Sequence, residues 1–95
     1  LLKRAVALGE KLRADFAKAL EGQAGVAAIR GDGLMIGIEL DRPCGELVTR
    51  ALERGLLINV TAEKVVRLLP PLVFTDDDAR ELVALLAPLT REFLA

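Results

Sequence analysis

Val65-Val66-Arg67-Leu68-Leu69-Pro70-Pro71-Leu72 sets one guanidinium inside an apolar, strand-like run and then halts the run with two prolines. Branched residues at 65 and 66 suit a pleated, half-buried surface. Proline donates no ladder hydrogen bond, so a strand must end where the pair begins. Upstream, Leu56 to Val60 reads as a buried strand, joined to this one by the polar turn Thr61-Ala62-Glu63-Lys64. Downstream, Thr75-Asp76-Asp77-Asp78 has the form of a capping box, with acidic groups at the positive end of a helix dipole. That helix carries Leu82, Val83, Leu85, Leu86, Leu89 and Phe93 as its apolar face, and Pro88 is expected to kink or interrupt it.

The same patterning continues toward the start of the chain. Leu1, Ala5, Leu8, Leu12, Phe16 and Leu20 recur at three- and four-residue spacing, which predicts an amphipathic helix over 1–20 that ends near Gly22. Gly9 costs about 1 kcal/mol there relative to alanine, so its presence points to close packing. Gly25–Arg30 is a weak strand, Gly31-Asp32-Gly33 a tight turn, and Leu34–Leu40 a clearer strand. Leu34, Ile36, Ile38 and Leu40 share one face of it; Met35, Gly37 and Glu39 share the other. Gly37 in mid-strand marks a bulge or a close backbone. A helix from about Cys44 to Arg54 buries Leu47, Val48, Ala51 and Leu52, with Gly55 as its stop. The order α-β-β-α-β-β-α predicts an α+β fold: a mainly antiparallel sheet of about four strands with helices on one face. No internal repeat or low-complexity segment is visible.

Ninety-five residues form one small domain, here 1–95, with a single core. Leu1 already belongs to a helical pattern, so the chain is expected to be part of a longer protein whose N-terminal portion is missing. Apolar residues make up 53%, about 61% with glycine counted, against roughly 45–50% for typical domains. The excess implies a face that packs on another domain or subunit. Thirteen basic and 14 acidic side chains are dispersed, and three Phe are the only aromatics. That argues against nucleic-acid binding by phosphate neutralisation or base stacking. One cysteine and no histidine leave no internal disulfide and no zinc set. A reducing, cytoplasmic setting follows as an expectation, and no apolar run is long enough to span a membrane.

Few residues are left to carry chemistry. Gly31-Asp32-Gly33 leads into a strand, so it lacks the helix N-terminus a phosphate would use. Asp76-Asp77-Asp78 is a helix start before it is a cation site. Cys44 follows proline at an expected helix N-terminus, where a thiol pKa can fall, but it has no histidine partner. Lys3, Lys11, Lys18 and Lys64 lie on polar faces or in a loop. No catalytic residue and no metal ligand set is expected. Arg67 remains: its charge is permanent, and its planar fork matches a carboxylate through two hydrogen bonds. The plain alternatives are the polar face of an edge strand, or a pair with a carboxylate such as Glu39.

Three blocks narrow the reading. Arg30-Gly31-Asp32-Gly33-Leu34-Met35-Ile36-Gly37-Ile38-Glu39-Leu40, Ala51-Leu52-Glu53-Arg54-Gly55-Leu56-Leu57-Ile58-Asn59-Val60-Thr61 and Val65–Leu72 together resemble the C-terminal small domain of class III pyridoxal-phosphate aminotransferases. The pattern is most similar to the acetylornithine aminotransferases, and ornithine and γ-aminobutyrate aminotransferases share much of it. The resemblance spans essentially all 95 residues. It implies a fold-type I homodimer that moves an amino group from N-acetylornithine to 2-oxoglutarate in arginine biosynthesis. It implies that Arg67 is substrate-binding, taking the α-carboxylate. Pyridoxal phosphate would be bound by the missing large domain, which holds the cofactor lysine, so this piece alone would be inactive. A rival expectation is a stand-alone amino-acid-binding regulatory module of ferredoxin-like type, with Arg67 on an effector carboxylate.

Overall fold

The computed structural model describes residues 2–71 and 74–95. The chain runs α1 (Leu2–Ala19), β1 (Val26–Asp32), β2 (Met35–Leu40), α2 (Glu46–Glu53), β3 (Asn59–Thr61), β4 (Val65–Leu68) and α3 (Asp76–Leu94). The strands form one sheet in the order β1-β2-β4-β3, antiparallel at every pairing. The expected α+β architecture and element order are therefore observed. β2 and β3 both run opposite to β4, so they are parallel to each other with β4 between them. This split crossover is the ferredoxin-like arrangement.

Alternation along the strands decides which face is covered. Ile36, Ile38 and Leu40 of β2 and Val66 and Leu68 of β4 are buried. They meet Leu8, Leu12, Phe16 and Leu20 of α1, Leu47 and Ala51 of α2, and Leu82, Leu86, Leu89 and Leu94 of α3 in one core. α1 packs on β1, β2 and α3, and α2 packs on α3. Fully burying a leucine or phenylalanine contributes roughly 1.5–3 kcal/mol, so this face supplies most of the driving force.

Helix ends are set by local chemistry. The Thr75 hydroxyl accepts from Asp78 N at 3.1 Å, and the Asp78 carboxylate accepts from Thr75 N at 2.9 Å, closing the expected capping box. Gly55, at φ +80°, ends α2: its N–H donates to Leu52 O, and Leu56 N donates to Ala51 O, both at 2.9 Å. Arg91 of α3 donates to the carbonyls of Ala19 (2.9 Å) and Glu21 (3.1 Å), placing a cation on the negative end of α1.

Several expectations need correction. α2 starts at Glu46, not Cys44, and buries only Leu47 and Ala51 fully; Leu52 is exposed. β3 is three residues long, and Leu57, expected in a buried strand, is 83% exposed. α3 passes uninterrupted through Pro88. Proline 88 is exposed, and so is Ala84, whose carbonyl it leaves without a helical partner and open to water. Gly37 lies in regular pairing; the irregularity falls between Val26 and Ala28 instead. The hairpin turn is Gly33-Leu34, with Gly31 and Asp32 still in β1. Gly9 explains itself here: a Cβ on it would collide with the Gly33 carbonyl oxygen, so α1 approaches the hairpin only because residue 9 has no side chain.

Candidate functional site

The face of the sheet opposite the core carries Arg67. Register places Arg67 of β4 across from Gly37 of β2 on one side and Asn59 of β3 on the other. Gly37 in turn faces Arg30 of β1. The row Arg30-Gly37-Arg67-Asn59 thus crosses all four strands, with two arginines flanking a residue that has no side chain. Met35 and Glu39 stand on the same face, two residues to either side of Gly37.

The two arginines have different partners. Arg30 pairs with Glu39 at 2.6 Å. Arg67 turns the other way, and its Nη2 rests against the sulfur of Met35. A thioether is a weak acceptor that neutralises nothing. Among the described residues, no carboxylate lies within ion-pair distance of Arg67. The pairing of Arg67 with Glu39, open as an alternative in the sequence, is not made; Glu39 pairs with Arg30 instead. The edge-strand alternative is also excluded, since β4 lies between β2 and β3.

Arg67 opens onto a cleft of about 520 Å³, lined also by Met35, Leu57, Asn59, Leu69, Pro71 and Phe74. Leu57 and Leu69 on its rim are 83% and 76% exposed. Pro70, buried, ends β4 and turns the chain along the cleft. Leu72 and Val73 lie outside the described residues, so the last residue of the quoted motif has no structural account. The cleft joins a permanent cation to an apolar wall, a combination suited to a carboxylate on a short carbon chain. A carboxylate docked on Arg67 with the wall excluding water would gain strength from the lowered local dielectric.

The remaining candidates are placed away from this cleft. Cys44 is fully buried in the core; its N–H donates to Glu63 O at 2.8 Å, and burial pushes the thiol pKa up, opposite to the fall expected at a helix start. Asp78 is engaged in the capping box, and Asp77 pairs with Arg80. Among the described residues, no group of three His, Cys, Asp or Glu is placed to hold a metal ion. Lys11 pairs with Asp15 at 3.0 Å, and Lys3, Lys18 and Lys64 are exposed. None of the four lines the cleft, so this chain offers no lysine for a covalent bond to a cofactor there.

Comparison with known proteins bears directly on this arrangement. The family model of class-III aminotransferases matches residues 1–89. The chain belongs to the class III aminotransferases. It is 57% identical over all 95 residues to acetylornithine aminotransferase 1 of Bordetella pertussis, covering 24% of that protein. It is 46% identical over 94 residues to acetylornithine aminotransferase of Nitrosomonas europaea, again covering 24% of it. The crystal structure of acetylornithine aminotransferase from Elizabethkingia anophelis superposes with a TM-score of 0.84 at 31% identity, over 96% of this chain and 25% of that one. The chain thus spans about a quarter of the length of the relatives it matches, as expected for part of a larger aminotransferase.

Sequence reasoning singled out Arg67 but not the residues that stand around it. Met35 and Glu39 were legible as one face of β2; which arginine each would meet was not. Asn59 joins the row only because β4 inserts between β2 and β3, a long-range pairing with no local signal.

Proposed function

We propose that this chain is the small domain of a pyridoxal-phosphate-dependent acetylornithine aminotransferase, and that Arg67 binds the α-carboxylate of the amino-acid substrate. The observation that carries the reading is a guanidinium with no carboxylate partner among the described residues, held at the wall of an open apolar cleft. The names of the acetylornithine relatives support N-acetylornithine as donor, and 2-oxoglutarate as acceptor rests on the resemblance of the sequence blocks. When bound, the cofactor would supply the electron sink for breaking the C–H bond on the carbon that bears the reacting amine. Since no lysine of this chain reaches the cleft, the cofactor belongs to the larger remainder of the enzyme, and the 95 residues alone are inactive. This chain's part is to bind and orient the substrate.

A C-terminal place for this segment, in a cytoplasmic homodimer, rests on the resemblance of the three sequence blocks alone. A lysine-bearing core of about 300 residues encoded upstream would support that placement; a start codon just before Leu1 would favour the stand-alone ligand-binding module, which the ferredoxin-like topology also accommodates. The central test is Arg67→Lys in the full-length enzyme. A point charge cannot reproduce the bidentate fork. Loss of roughly 1.5–3 kcal/mol of charge-assisted bonding corresponds to a Michaelis constant for N-acetylornithine raised about 10- to 100-fold. The absorbance of the bound cofactor should be unchanged, because this chain does not hold it. A wild-type Michaelis constant would refute the role of Arg67.

A further inference from the structure

Among the described residues that line the cleft, only Asn59 and Arg67 have polar side chains. They are direct partners in the β3–β4 register, so both belong to the open face of the sheet, and both are exposed. Directly opposed residues hold their Cβ atoms about 4.5–5.5 Å apart, close enough for the two side chains to reach one small group. The Asn59 amide has a fixed sense. Its Oδ1 accepts from Val60 N–H at 2.9 Å, and a backbone N–H can only donate, so the amide cannot be turned round without losing that bond. The NH2 end is thereby left as the free half of the side chain. Among the described residues it donates to no acceptor, although it carries two N–H bonds.

We propose that Asn59 is a second substrate-binding residue, donating from Nδ2 to the carboxylate that Arg67 holds. The inference rests on Arg67 being the carboxylate receptor. A carboxylate has two oxygens and about four lone-pair sites, and the guanidinium fork satisfies one on each oxygen. The outer lone pairs then need donors, in a cleft whose other described lining side chains are apolar. The Asn59 amide, one cross-strand step away, supplies such a donor. Its acceptor end, which would repel a carboxylate, is spent on Val60 N–H at the strand backbone. The same bond restrains the side chain before the substrate arrives, so less rotamer freedom is lost on binding. The three residues of β3 thus contribute to recognition by setting a neutral donor beside the cation of β4.

The experiment compares four forms of the full-length, cofactor-loaded enzyme: wild type, Arg67→Lys, Asn59→Ala and Asn59→Asp. Asn59→Ala should raise the Michaelis constant for N-acetylornithine about three- to tenfold, the scale of one exposed hydrogen bond to a charged group, with kcat unchanged. Asn59→Asp separates binding from structure. Its carboxylate still accepts from Val60 N–H, so the unfolding midpoint should match wild type. It has no N–H to donate, however, and it sets a like charge beside the substrate. Its Michaelis constant should therefore exceed that of Asn59→Ala and stand more than about tenfold above wild type. The excess over Asn59→Ala should shrink as salt screens the repulsion. A wild-type constant for Asn59→Asp beside an impaired Asn59→Ala would mean that Asn59 only secures the strand, and that outcome overturns the proposal. Wild-type constants for both, beside an impaired Arg67→Lys enzyme, overturn it too while sparing the role of Arg67. An unaffected Arg67→Lys enzyme removes both.

Discussion

The two faces of this sheet are built from the same strands and obey opposite rules. On the covered face, Ile36, Ile38, Leu40, Val66 and Leu68 are sealed under three helices, and among the described residues the buried side chains are apolar except Thr90. On the open face, Met35, Gly37, Glu39, Val65 and Arg67 alternate with them residue by residue. Leu57 and Leu69 stand beside that face almost fully exposed. One face holds the domain together. The other, ordered by the first, carries the cation of the proposed substrate site and borders on exposed leucines. The lesson is that a short strand can carry stability and specificity at once, because a pleat separates them by a single residue.

Substitutions should divide along the same line. The largest effect belongs to the covered side. Phe16→Ala should destabilise the fold by about 3–5 kcal/mol, read as a lowered urea midpoint, because the ring is fully buried at the helix–sheet junction. On the open side, Arg67→Lys should cost about 1.5–3 kcal/mol of substrate binding while shifting the unfolding midpoint by less than about 0.5 kcal/mol. If both quantities moved together, the separation of the faces would be wrong. Gly9→Ala tests the close approach of α1 to the β1–β2 hairpin. Helix propensity alone would make it stabilising by about 1 kcal/mol. The clash with the Gly33 carbonyl should reverse the sign, to a net loss of about 1–3 kcal/mol. Thr75→Ala should remove the capping box for about 1 kcal/mol, measurable as a lower thermal midpoint.

Cys44 gives a pH-dependent test of the covered face. Burial raises its thiol pKa in the folded state, so the folded protein binds that proton more tightly than the unfolded chain does. Its contribution is fully present below the ordinary thiol value of about 8.5 and is lost as pH rises through and beyond it. Wild type should therefore lose more stability between pH 8 and 10 than Cys44→Ala, by comparative denaturant titration. Equal losses would mean that the thiol is not shielded. The smallest effect is expected of Leu57→Ser: its exposure predicts a change within about 0.5 kcal/mol for this domain, so a larger loss would place Leu57 in the core.

Periodicity and punctuation determined a great deal by themselves. The four-residue recurrence of Leu8, Leu12, Phe16 and Leu20, the period of two in β2, the Thr75 cap and the Gly55 stop are local signals, and each element formed as they required. The isolated cation at 67 was equally plain, because a permanent charge in an apolar run is conspicuous at any distance from its partners. Three other features were decided only by tertiary structure. β4 lies between β2 and β3, which brings Gly37 and Asn59 to either side of Arg67. Glu39 goes to Arg30 rather than to Arg67, which no spacing encodes. Ala62 and Glu63 both take positive φ, 50° and 66°, in a turn with no glycine. That strained turn is held because Lys64 O accepts from Leu40 N and Glu63 O accepts from Cys44 N, each at 2.8 Å. Local patterns fix what a residue does within its own turn or strand. Which residues meet across the sheet depends on contacts between segments far apart in the chain, and those exist only once the core has closed.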